Sequence, residues 1–193
     1  TAATDTANAM NELSQLIGFE KDDSDIQKLN QAAGLDWISL DSRTISILDK
    51  AEKVAQDSGG AFSPTIVPIL NLWGFSGSNP SVPTQEKIEQ FLPYVDYQNL
   101  RVDTQENTAS LKMRYSSVSL DGVYNGALCE SAVSSYQTSG VAAGIITVGN
   151  SVGVYGTKPD GSKWTLAVKN PDVTDTELLA IGTFTIESGY AST

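Results

Sequence analysis

The sequence predicts an α+β fold in which helices pack on an antiparallel-rich sheet. Apolar residues recur at helical spacing through the first half of the chain, and short alternating runs fill the second half. Helices and strands are segregated along the chain rather than interleaved as βαβ units, which argues against a parallel doubly wound sheet. The 193 residues suit a single domain, or two closely joined lobes, with a helix-rich part over 1–97 and a strand-rich part over 98–193. We find no internal repeat.

Ala7, Met10, Leu13, Leu16 and Ile17 predict a helix over 4–17. Ser24 predicts the cap of a short helix carrying Ile26 and Leu29, with Gly34 as its C-terminal glycine. A strand is expected around Trp37–Leu40. Ser42 then opens a stronger helix with Ile45, Leu48, Ala51, Val54 and Ala55 on one stripe, stopped by Gly59 and Gly60. Ser63 can cap, and Pro64 can start, a helix running to about Trp73, with Pro68 near its first turn. Residues 74–83 are rich in Gly, Ser, Asn and Pro and read as a surface loop. Thr84 caps a further helix through Ile88 and Phe91, ended by Pro93.

Beyond residue 98 the period changes. Residues 99–103 and 109–114 alternate like a hairpin, and 118–120 reads as a third short strand. Helix returns over 123–137. The near-continuous apolar run 141–148 predicts a central buried strand, packed with Ile45, Leu48 and Val54 in one core. Residues 152–155 and 164–169 alternate about a Lys-Pro-Asp-Gly turn at 158–161, and 179–187 reads as the last strand.

Composition narrows the chemistry. The net charge of −11 makes nucleic acid a poor partner, because a polyanion releases no counterions from another polyanion. The same charge opposes any anionic ligand unless local N–H groups or a metal offset it. The chain has no histidine, which excludes Ser-His-Asp and Cys-His catalysis within it and the usual zinc sites. The one cysteine, Cys129, sits in an apolar helical stretch and reads as a buried structural thiol. No apolar run is long enough to span a bilayer, and no secretory signal stands at Thr1.

Four segments, taken in order, carry a family resemblance. Residues 24–30, Ser-Asp-Ile-Gln-Lys-Leu-Asn, resemble the family's Ser-Glu-Ile-x-x-Leu-Asn. Residues 59–75, opening Gly-Gly-Ala-Phe-Ser-Pro-Thr and closing Leu-Trp-Gly-Phe, resemble a long and unusual family stretch. Residues 119–126, Ser-Leu-Asp-Gly-Val-Tyr-Asn-Gly, resemble its Asp-Leu-Gly-Gly-Ile-Ala-Lys-Gly loop, and 149–171 resemble a glycine pair, a strand and a Lys-Pro-Asp-Gly-x-x-Trp hairpin. Together these segments resemble the ApbE-like family of FAD:protein FMN transferases; the resemblance covers roughly residues 8–193 and implies a T-fold-related domain. It implies FAD and magnesium, transfer of FMN to a threonine of an acceptor protein, and an extracytoplasmic, lipid-anchored setting. A non-catalytic flavin-binding or protein-interaction module on the same scaffold is the alternative.

By the same resemblance, Asn30, Ala61, Phe62, Ser63, Ser119 and Asn125 are the candidate cofactor contacts and Gly122 the candidate metal contact, while no catalytic residue is assigned. Each has a structural reading beside it. Asn30 can cap a helix, Ser63 can cap the helix beginning at Pro64, Phe62 and Trp73 can be core, and 119–126 can be a strand-to-helix turn built on Gly122 and Gly126. Phe19 stands one residue from the family's stacking aromatic, with core packing as the other reading. Ser119, Asp121 and Asn125 replace the family's Asp, Gly and Lys, which makes the loop more negative and opposes a pyrophosphate. Val148-Gly-Asn stands where the family has Gly-Gly-Asn or Gly-Gly-Asp. The family's opening Met-Gly-Thr strand and its later histidine and Asp/Thr metal segments have no counterpart in these residues, so the domain is expected to be incomplete relative to the family.

Overall fold

The computed structural model describes residues 1–75, 77, 79–172, 174 and 179–192. The described chain divides into two compact units, residues 13–124 and residues 1–12 with 125–193. Every strand pairing is antiparallel, as the predicted fold class requires.

In the unit of residues 13–124, helix α1 (Ala2–Ile17) contributes its last turns and leads to α2 (Asp25–Gln31). Ser24 caps α2, its Oγ accepting from the Gln27 N–H at 3.1 Å, and Ala32 rather than Gly34 is the C-cap. Helix α3 (Ser42–Asp57) has Asp41 as its N-cap. The Asp41 carboxylate accepts from the Arg43 N–H and takes both Arg43 Nε and Nη2 at 2.9 Å. The Arg43 hydrogen bond holds the Asp41 carboxyl below the ordinary carboxylate value. Strands β1 (Ile38–Ser39), β2 (Leu100–Asp103) and β3 (Thr108–Leu111) form a sheet in the order β1-β3-β2. Helices α2 and α3 lie against this sheet and bury Ile26, Leu29, Ile45, Leu48, Ala51 and Ala55. Val54, expected on that stripe, is 47% exposed.

Helix α4 (Val67–Trp73) begins later than predicted, and Ser63 does not cap it. Pro68 carries no N–H to give to the Pro64 carbonyl, so no helical turn can close there. That carbonyl instead accepts from the Ser119 N–H at 2.9 Å. Trp73 is not in the core; it is half-buried and stacked at 5.7 Å on Phe75, which is 63% exposed. Thr84 caps α5 (Gln85–Phe91), and a 3-10 turn over Leu92–Tyr94 takes up Pro93. The strand expected at 118–120 does not form. The backbone groups of Val118 are taken by a side chain: Asn30 Oδ1 accepts from the Val118 N–H at 2.7 Å, and Asn30 Nδ2 donates to the Val118 carbonyl at 2.9 Å. With both groups satisfied there, no ladder is needed.

The second unit centres on α6 (Asp121–Thr138), β4 (Gly144–Val148), β5 (Ser151–Tyr155) and β8 (Gly189–Ser192), in the sheet order β4-β5-β8. Buried Cys129 donates from Sγ to the Ser151 carbonyl at 3.6 Å, and burial pushes its thiol up. The run 141–148 is therefore not a central strand. Strand β4 lies at the edge of its sheet, with Ile145 48% exposed, and Ile45 and Leu48 belong to the other unit. An apolar run records hydrophobicity and not place in a sheet. The turn over Lys158–Gly161 forms, but β5 and β6 (Trp164–Lys169) are not partners; β6 pairs with β7 (Ala180–Ile186). Strand β8 follows the one predicted to be last.

Two outcomes test these constraints. Asn30→Ala should cost about 2–4 kcal/mol in urea unfolding, since it strands a buried N–H and carbonyl. Asn30→Asp keeps the acceptor but sets a carboxylate against the Val118 carbonyl, raising its folded pKa, so its deficit relative to wild type should shrink as pH falls from 7 towards 5. Asp41→Ala should cost about 1 kcal/mol at neutral pH. Because the Asp41 pKa is depressed in the folded state, this contribution is present above the ordinary Asp value and is lost as pH falls below it.

Candidate active site

The end of α3 and the chain after it build one wall of a cleft. Gly59 and Gly60 adopt positive φ, and the Gly60 N–H returns to the Ala55 carbonyl at 2.8 Å. Ala61 donates its N–H to the Ser58 carbonyl and Phe62 to Ser58 Oγ, each within 3.2 Å. These amides therefore close the helix end, and the wall offers the Phe62 ring rather than a row of free N–H donors. Ser63 and Thr65 both donate their hydroxyls to the Val95 carbonyl, at 2.8 and 2.5 Å, which pulls the segment 95–97 alongside. Ser119 Oγ accepts from the Asp121 N–H at 3.1 Å and starts α6. At Gly122 a Cβ would come within 2.9 Å of Phe62 Cε2, so the missing side chain is what lets the edge of the ring come up against the helix.

The result is a cavity of about 510 Å³ lined by residues 59–63, Ile66, Leu70, Val95, Asp96, Tyr97, Ser119, Asp121 and Gly122. A second cavity of about 370 Å³ shares Leu70, Ser119 and Asp121 with it and adds Gly18, Phe19, Glu20, Lys21, Val67, Asn71 and Tyr124. Ala61, Phe62, Ser63, Ser119 and Gly122, drawn from two motifs far apart in sequence, thus come together. Phe19 lines the second cavity instead of packing in the core.

Asn30 is placed otherwise. Its amide is committed to Val118, behind the loop that carries Ser119. Asn125 belongs to the other unit, where its side-chain amide lies beneath Gly149: a Cβ there would come within 2.6 Å of Asn125 Nδ2. Tyr97, Asp96 and Leu70 were not legible as site residues. They arrive through the Val95 clamp and the face of α4, neither of which has a spacing signature.

The volumes suit a nucleotide-sized ligand, and Phe62, Tyr97 and Phe19 offer flat apolar surface for ring systems. The donor set fits a divalent cation poorly. Gly122 lies in the first turn of α6, where an α-helical carbonyl is turned to the amide four residues on. No group of three or more His, Cys, Asp or Glu able to hold a metal occurs among the described residues.

The ApbE family model matches residues 2–192, and the chain belongs to that family. It is similar to the FAD:protein FMN transferase of Vibrio cholerae, at 23% identity over 175 residues, covering 90% of this chain and 52% of the relative. The enzyme of the same name from Escherichia coli K12 is 25% identical over 161 residues, covering 81% and 46%. The crystal structure of the ApbE protein from Thermotoga maritima superposes with a TM-score of 0.85 at 26% identity, covering 98% of this chain and 60% of that one. The apo flavinyl transferase ApbE of Pseudomonas stutzeri has the same fold, with a TM-score of 0.81 at 21% identity over 97% of this chain and 57% of its own. The chain spans about half the length of the curated relatives it matches.

A sign reversal tests the Phe62–Gly122 contact. Gly122→Ala alone should destabilise, by about 1–2 kcal/mol in urea unfolding, because the ring must move. In a Phe62→Ala background the same change should be neutral or stabilising, since alanine is the better helix former. Equal effects in both backgrounds would show that the ring does not rest on this glycine.

Proposed function

We propose that the cleft of residues 13–124 binds FAD and that the protein is a flavin transferase of the ApbE type. In the reaction of its longer relatives' names, FMN passes from FAD to a protein. On the resemblance, the acceptor is a threonine hydroxyl: its oxygen bonds to the FMN phosphorus as the pyrophosphate bridge breaks, AMP leaves, and the hydroxyl proton goes to a base. No residue here is assigned as that base. The observation that supports this reading is the convergence of Ala61, Phe62, Ser63, Ser119 and Gly122 on one cavity from motifs that carry the family resemblance. Magnesium is implied by the resemblance alone, and no step is routed through it. An extracytoplasmic, lipid-anchored setting for the full-length protein also rests on resemblance, and cell fractionation would test it.

A second reading has its own support. Asp96 and Asp121 line the first cavity, and no Lys or Arg lines it among the described residues, which favours a scaffold that binds flavin, or a protein, without transferring anything. Flavin-fluorescence titration with FAD, with and without magnesium, separates the readings when followed by incubation with a threonine-bearing acceptor and mass analysis. FAD binding plus an FMN mass increment supports the transferase. Binding with no increment supports the non-catalytic module, and no binding in either condition sinks both flavin readings. Asp121→Asn should tighten FAD binding by about two- to fivefold at low salt, with the gain fading as salt rises.

A further inference from the structure

Lys21 is the one cation lining either cavity among the described residues, against Glu20, Asp96 and Asp121. No feature of the motifs draws attention to it. It sits on the loop between α1 and α2, and that loop is held in shape by its own side chains. Ser24 Oγ donates to the Gly18 carbonyl at 2.8 Å while accepting from the Gln27 N–H, and Gln27 Nε2 donates to the Phe19 carbonyl. The Lys21 N–H closes the turn on the Gly18 carbonyl at 3.3 Å. The Lys21 stem crosses over Gly18, where any Cβ would collide with its Cγ. The start of the apolar stem is thus laid against the backbone, and the residue is exposed where it lines the second cavity. The ammonium has no ion-pair partner among the described residues.

A long cation held on a preshaped loop, without an ion pair among the described residues and in a cleft whose other charged lining residues are carboxylates, is placed to meet an anionic group of a ligand. We propose that Lys21 is the phosphate contact of this cleft and selects phosphorylated flavins over the unphosphorylated ring system. The inference rests on the reading of the cleft as a flavin site. It adds which group recognises the anionic part of the ligand, in a chain whose loop carries Asn125 in place of the family's lysine. The contact needs only charge and reach, since an ammonium meets phosphate as a point charge with rotatable donors.

The test titrates FAD, FMN and riboflavin into the 193-residue chain at low salt, using wild type, Lys21→Gln and Lys21→Arg. Lys21→Gln should weaken FAD and FMN by about three- to fivefold, the scale of a solvent-facing ion pair. Riboflavin should change by less than about twofold on that scale. Lys21→Arg should retain FAD, and the wild-type preference for phosphorylated flavins should fade as salt is raised. FAD binding unchanged in Lys21→Gln, or riboflavin weakened as much as FAD, overturns the assignment and leaves the flavin cleft standing. Salt-independent FAD binding by the wild type overturns it without any variant. A wild type that binds none of the three flavins overturns the cleft reading itself, and this assignment with it.

Discussion

The unit of residues 13–124 depends on one side chain meeting one backbone residue. Asn30, near the end of α2, both donates to and accepts from Val118, 88 positions away. A planar amide carries a donor and an acceptor at fixed spacing, so it imitates a neighbouring strand for a single residue. Around it, Ser116 Oγ donates to the Tyr94 carbonyl, and the Ser119 N–H reaches Pro64. A segment with no ladder of its own is thereby fixed from three sides. Ser119 and the first turn of α6 inherit their positions from that arrangement, and so does the cleft.

Elements that declare themselves through local chemistry were legible in the sequence. The caps at Ser24 and Thr84 accept the amides that their position predicts, and the antiparallel pairing of β2 with β3 follows from plain alternation. Long-range choices were not. Nothing local says that 118–120 will be paired by an asparagine, that 141–148 will lie at a sheet edge, or that the strands flanking Lys158–Gly161 will take different partners. Two prolines four residues apart did carry the information that α4 must start late, through an N–H that Pro68 lacks.

The site divides along the same line. Phe62, Ser119 and Gly122, singled out from two separate motifs, line one cavity, but which atoms the wall around residue 61 presents was not legible. The amides there close α3, and the exposed apolar surface is the ring. Asn30 bears on the cleft without entering it, through the loop that it holds. Asp96 and Tyr97 had no signature at all, because they are delivered by hydroxyls of Ser63 and Thr65 gripping one distant carbonyl.

Shape and charge are therefore set by different residues in this cleft, and they act on different scales. The shape follows from contacts internal to the protein: Phe62 against Gly122, Ser119 under Pro64, and Ser63 and Thr65 on Val95. None of these contacts uses the side chain of Asp121 or Lys21. Covering about 100 Å² of flat apolar ligand surface contributes roughly 2.5 kcal/mol. A solvent-facing ion pair contributes about 1 kcal/mol at most. On the proposed flavin reading, ring packing would decide whether the ligand binds, and the charges would decide which phosphorylation state is preferred. A net charge of −11 is compatible with a dinucleotide ligand on these terms, because the long-range repulsion is screened within about 10 Å at ordinary salt while the ring contacts are not.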